Sequence, residues 1–237
     1  MSNNKQTFRF NKKSIAAIAA GSTAAIVIIV FLFMPSAVSP IETAIVEPQI
    51  ENNPVVAEVN GQKVRLEEVK DFINIGSSQG QILDGATALD RVIIKTLLLE
   101  EAQERDIAVA ISEATDDMTD MYTKNGLSLE QFKEKLSQIG VTYDQTLEMY
   151  REQMVINEML AAEISKADIQ VGDKEARAFF DDNIQAINTQ IGNNTAFEDV
   201  SEQIKSMLVQ QKQQQAIMDF IKDLKGNATI ITYKDRL

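Results

Sequence analysis

The spacing of apolar residues changes character several times along the chain. Residues 15–34, IAAIAAGSTAAIVIIVFLFM, form a run without a single charged side chain. As a helix rising about 1.5 Å per residue, that run spans roughly 30 Å of hydrocarbon, which predicts one transmembrane helix. From Val55 to Val64 the sequence VVAEVNGQKV holds two short β-prone runs around Asn60-Gly61. That dipeptide best accepts the positive φ angles of a type I′ turn, so a hairpin is predicted. At Leu66 the period becomes helical, with Val69, Phe72 and Ile73 on one face, until Gly76 and the cluster 77–80 interrupt it. A longer helix follows over Ala88–Arg105, striped by Leu89, Val92, Ile93, Leu97 and Leu98.

The next stretch repeats one device. Gly126-Leu127-Ser128-Leu129-Glu130-Gln131 and Gly140-Val141-Thr142-Tyr143-Asp144-Gln145 each read as a helix stop followed by a helix start. Glycine takes the left-handed conformation past one helix. Ser or Thr then caps the next, and Gln three residues on completes a capping box. Helices are therefore predicted over Ser112–Lys124, Ser128–Gln138 and Thr142–Ser165, with another over Asp173–Ile187.

Thr195 and Glu198 offer a further capping box at the start of a helix predicted to run to Lys225 and to be closed by Gly226. Its stripe of Phe197, Val200, Ile204, Leu208, Ile217, Phe220, Ile221 and Leu224 is interrupted by Gln210, Gln211, Gln213, Gln214 and Gln215, which predicts a middle that is only partly buried. The last run, Ala228–Tyr233, is β-prone. A lone strand leaves main-chain groups unpaired, so the terminal run and the early hairpin are expected to share one sheet. The long helix is then expected to lay its stripe against Ala88–Arg105 and Thr142–Ser165.

Charge turns the pattern into a topology. Lys5, Arg9, Lys12 and Lys13 precede the apolar run, no acidic residue occurs before Glu42, and the formal net charge is -12. By the positive-inside rule residues 1–14 are expected to be a cytoplasmic tail, with the acidic remainder outside a prokaryotic cell membrane crossed once by residues 15–34. A cleaved signal peptide is the rival reading; its apolar core would be about 7 to 15 residues, and Ser36-Ala37-Val38-Ser39 makes a poor cleavage site. Pro35, Pro40, Pro48 and Pro54 are the only prolines, so residues 35–54 read as a stalk of up to roughly 60 Å if extended. The folded part is placed at 55–237.

Composition removes much chemistry. With no cysteine and no histidine, disulfides, thiolate nucleophiles, the usual zinc sites and imidazole bases are excluded. No P-loop, dinucleotide fingerprint or EF-hand loop is present, and no cofactor or metal is expected. An acidic domain repels phosphates, so no nucleic-acid partner is expected. Asp116-Asp117 and Asp181-Asp182 are adjacent pairs whose side chains diverge on a helix, which fits a solvated face.

The ordered series of elements resembles the SurA/PrsA foldases. Val56-Ala57-Glu58-Val59-Asn60-Gly61 resembles their opening strand, and Ala88-Leu89-Asp90-Arg91-Val92-Ile93 through Glu101-Ala102 their second helix. Asp106-Ile107-Ala108-Val109 through Ser112-Glu113 resembles the junction into the third. Gly126–Phe132 and Gly140–Tyr143 match two helix junctions, and Phe179-Phe180-Asp181-Asp182-Asn183 the end of the N-terminal segment. In such foldases a parvulin-type prolyl isomerase module normally follows, where this chain has only 184–194. The resemblance implies a mainly α multi-helix chaperone lobe over 55–237, with a small sheet of N-terminal hairpin and C-terminal strand, lacking that module and its isomerase activity.

The implied function is that of a membrane-anchored extracytoplasmic chaperone that binds unfolded or exported polypeptides without catalysis. The alternative is a structural or accessory subunit of a membrane complex. Methionine is adaptable and suits surfaces that accept many apolar sequences. The candidate peptide-binding set is therefore Met118, Met121, Tyr122, Phe132, Tyr143, Met149, Tyr150, Met154 and Met159. For each of these, ordinary core filling on an amphipathic helix is the competing reading.

Overall fold

The computed structural model of the chain describes residues 53–78, 82–138, 140–191 and 195–237. Strands β1 (Val55–Val59) and β2 (Gln62–Arg65) flank Asn60-Gly61. Those two residues take φ of 50° and 88°, as the predicted type I′ turn requires. Helices α1 (Leu66–Ser78), α2 (Gly85–Glu104), α3 (Ile111–Lys124), α4 (Leu129–Gln138), α5 (Tyr143–Lys166), α6 (Asp173–Ile191) and α7 (Phe197–Asn227) follow, then β3 (Ile230–Thr232) and a 3-10 turn over Lys234–Arg236. The two ends do share one sheet: its order is β2-β1-β3, and β3 runs antiparallel to β1 with Glu58 opposite Ile231.

The described residues gather into two compact units, one of 53–163 with 218–237 and the other of 164–217. In the first, Val56, Ala57, Val59 and Val64 of the hairpin pack with Val69 of α1 and Ala88, Leu89, Val92, Ile93 and Leu97 of α2, while Leu224, Ala228 and Ile230 cover their flank. Burying each such aliphatic side chain stabilises by about 1.5–3 kcal/mol, so this cluster fixes the sheet on α2. A second cluster of the same unit joins Ala102, Val109, Ala114, Val155 and Met159, with Leu147, Tyr150, Met154 and Phe220 packed against it. Arg105 ties α2 to α5 through Glu163 (2.9 Å) and lies over the Phe220 ring at 5.3 Å.

In the second unit Ala176, Phe179, Phe180 and Ile187 of α6 meet Val200, Ile204 and Leu208 of α7. Lys205 pairs with Asp173 (2.6 Å) and Lys212 with Glu175 (2.8 Å) along the edge of that contact. The stripe of α7 is thereby divided. Phe220 and Leu224 pack as expected on clusters that hold α2 and α5 residues, whereas Phe197, Val200, Ile204 and Leu208 pack on α6 instead.

Several helix boundaries differ from the sequence reading, and α6 runs to Ile191 where it was expected to stop at Ile187. Gly76 lies inside α1 and Gly226 inside α7. A helical glycine costs about 1 kcal/mol relative to alanine but does not end a helix by itself. At the start of α2 the reading was three residues late, because Asp84 caps the helix by accepting from Thr87 N–H at 2.7 Å.

The expected transmembrane helix is corrected. No helix among the described residues is long and apolar enough to cross a membrane. A spanning helix needs about 20 mostly apolar residues, and the long described helices carry charges along their length: α7 includes Glu198, Lys205, Lys212 and Asp219. The run 15–34 lies outside the described residues. The fold is mainly helical with a small three-stranded sheet, and the single-pass membrane localisation, with attachment through 15–34, has no support in it.

Candidate functional site

The corner formed by α3, α4 and α5 is built by local hydrogen bonding. Past α3, Leu127 N–H donates to the Tyr122 carbonyl (3.0 Å) and Gly126 N–H to Thr123 (2.9 Å), with Gly126 at φ 74°. Past α4, Val141 donates to Leu136 and Gly140 to Ser137, each at 3.1 Å, with Gly140 at φ 79°. These are two Schellman closures in succession. Both capping boxes also form reciprocally. Ser128 N–H donates to Gln131 Oε1 (2.9 Å) while Gln131 N–H donates to Ser128 Oγ (3.3 Å); Thr142 and Gln145 do the same at 3.0 and 3.2 Å.

This corner brings three aromatic rings together. Tyr122 of α3 stacks on Phe132 of α4 with centroids 4.9 Å apart, and Phe132 meets Tyr143 at the start of α5 edge-on at 6.4 Å. Tyr122 is buried, Phe132 and Tyr143 are half-buried, and Lys133 Nζ lies 5.1 Å from the centre of the Tyr143 ring. Burial, with Tyr122 and Asp144 nearby, raises the Tyr143 hydroxyl above its ordinary range.

The other candidates divide by exposure. Met118 and Met159 are 0% exposed, which is the environment of core side chains, whereas Met121 is 37% exposed. Met149, Tyr150 and Met154 are half-buried, and the latter two pack against the cluster around Met159. Tyr150 also donates its hydroxyl to Asp117 Oδ2 at 2.6 Å, joining α5 to α3. Sequence reasoning missed that role for Asp117, since an adjacent acidic pair carries no sign of a tyrosine 33 residues away. Exposed Ile111 (53%) and Ile231 (47%) were likewise not singled out, because periodicity marks what is buried.

Burial and the bond to Asp117 push the Tyr150 hydroxyl up to about 12 from 10.0. A raised acid stabilises the fold fully below its unfolded value and loses that contribution as pH climbs through the folded value. Stability should therefore fall between pH 10 and about 12, as the unfolded chain ionises first. Urea midpoints across that window should fall less steeply for Tyr150→Phe than for the parent; equal slopes would contradict the assignment.

The helical lobe closed by a hairpin and a terminal strand has a counterpart of similar fold among solved structures. One solved structure, described with the virulence factor PEB4 and the periplasmic protein Cj1289 as SurA-like chaperones of Campylobacter jejuni, superimposes with a TM-score of 0.58. It covers 77% of this chain and 100% of its own at 14% identity, a likeness of fold. More specifically, residues 50–160 match the family model of the SurA N-terminal domain. Chaperone SurA of Hahella chejuensis is 29% identical over 91 residues, 38% of this chain. Chaperone SurA of Pseudomonas savastanoi pv. phaseolicola is 27% identical over 149 residues, 61% of this chain. The matched parts are 21% and 33% of those relatives, so the chain spans a third of their length or less.

Proposed function

We propose that the protein is a chaperone that binds unfolded or exported polypeptide without catalysis, and that the α3–α5 corner is its contact surface. The observation that carries this reading is the half-covered ladder Tyr122–Phe132–Tyr143, with exposed Met121 on the same helix as Tyr122, inside the segment that matches the SurA N-terminal domain. Stacked aromatic rings and a flexible thioether offer apolar contact to many sequences and demand no fixed partner geometry. The acidic surface keeps such a protein soluble while it holds an aggregation-prone chain. With no histidine in the sequence, a parvulin-type reaction has no imidazole to use, which supports holding over isomerisation.

The full-length protein should suppress aggregation of a heat-unfolded test protein at near-stoichiometric amounts and without nucleotide. Met121→Ser with Phe132→Ser should raise the amount needed by about tenfold, corresponding to about 1.4 kcal/mol of lost apolar contact. Parent-like suppression by the double variant would remove the corner from the account. Copurification of one stoichiometric partner, with no spread of unfolded chains, would favour an accessory subunit.

A further inference from the structure

We infer that β3 is a free sheet edge that takes up an extended segment of unfolded polypeptide as a fourth strand. The inference rests on the chaperone reading and adds a second, main-chain mode of contact to it. Tyr233 N–H donates to the Val56 carbonyl (2.8 Å), and Asn60 N–H donates to the Thr229 carbonyl (2.9 Å). With Glu58 opposite Ile231, the antiparallel alternation turns the main-chain groups of Ile231 toward β1 and those of Ile230 and Thr232 away from it. Among the described residues no strand lies beyond β3.

The two edges of the sheet differ in the way that matters for pairing. Strand β2 presents exposed Lys63 and Arg65, the charges by which proteins ordinarily blunt an edge. Strand β3 is Ile-Ile-Thr, without charge or proline, and Ile231 is 47% exposed on the face that carries Glu58. β-Branched residues at an open edge favour a guest strand, whose own side chains would pack beside Ile231.

Strand length selects the occupant. Three residues give an edge about 10 Å long, far fewer than the roughly 20–30 residues a side that a stable protein–protein interface engages. An edge of that size suits brief capture of an extended chain. Recognition through main-chain groups is also indifferent to sequence, as a chaperone's contact must be.

The test uses the full-length protein and a short fluorescent peptide of alternating valine and threonine, read by anisotropy. Thr232→Pro removes an outward N–H and leaves the bonds of Ile231 and Tyr233 to β1 in place, while Ile231→Lys gives β3 the protection that β2 has. Each should weaken binding about tenfold, as should full N-methylation of the peptide, which strips its donors. Thermal melting checks both variants, and Ile231→Lys decides the matter if Thr232→Pro fails to fold. Unchanged binding by the variants, equal binding of the N-methylated peptide, or no binding by the parent would each overturn the edge. A dimer that Ile231→Lys dissociates would overturn it too, in favour of a second copy. Failure of the chaperone reading shows separately, as loss of aggregation suppression by the parent.

Discussion

Removal of residues 228–237 should unfold the unit built on the three-stranded sheet at temperatures the parent survives. The segment supplies the Thr229 carbonyl to Asn60 and the Tyr233 N–H to Val56, and Thr229 N–H donates to Asn60 Oδ1 at 2.9 Å. Arg236 Nη1 donates to the Val55 carbonyl (3.0 Å), and the Tyr233 hydroxyl to Glu58 (3.2 Å). At about 1 kcal/mol for each bond, with the cover that Ala228 and Ile230 give the sheet cluster, the loss is on the order of 5 kcal/mol. That is comparable with the whole stability of an ordinary domain, about 5–15 kcal/mol. Calorimetry should show the transition of this unit lost or displaced by more than about 15 °C; a parent-like scan would mean that β1 and β2 hold α2 without β3.

The second large effect separates methionines that fill the core from one that meets solvent. Met159→Gln keeps the volume nearly constant but puts an amide among Ala102, Val109, Ala114 and Val155, where the replaced side chain is 0% exposed. The cost should be about 2–4 kcal/mol, seen as an earlier urea midpoint with an unchanged slope. The same change at Met121, 37% exposed, should cost less than about 0.5 kcal/mol and act on polypeptide binding instead. If Met159→Gln folds like the parent and loses binding, the cluster around it is part of the contact surface and not core.

These contrasts mark how far the sequence could be read. Helices α3, α4 and α5 were predicted to within a residue at most ends, because glycine closures and Ser/Thr-x-x-Gln boxes are local and leave little for tertiary context to override. The hairpin and its sharing of a sheet with β3 followed from Asn60-Gly61 and from hydrogen-bond accounting. What a single stripe could not reveal was that α7 uses it for two different clusters, since periodicity gives the buried face of a helix but not what it faces. Asn53, in the stalk by its proline-bearing neighbourhood, accepts from Glu67 N–H at 2.9 Å and donates to its carboxylate at 2.8 Å. Composition marks linkers but does not register such ties. Among the candidate residues, sequence placed Tyr122, Phe132 and Tyr143 close together along the chain, whereas their stacking and the burial of Met118 and Met159 needed the packing of the helices.

Helix α4 is ten residues long and buries one side chain, Leu136. A segment of that length has little helicity alone, so its persistence depends on the two closures, the two capping boxes and the stacked Phe132 ring. Such an element belongs at the bottom of the molecule's ladder of local unfolding energies, and its amides should exchange with solvent well before those of α2 or α5. Each opening uncovers the face of Tyr122 and one flank of Tyr143, and each closing restores the stack. On the proposed reading of this corner, the apolar area it offers should follow that opening equilibrium and grow with temperature as the protection of the α4 amides declines.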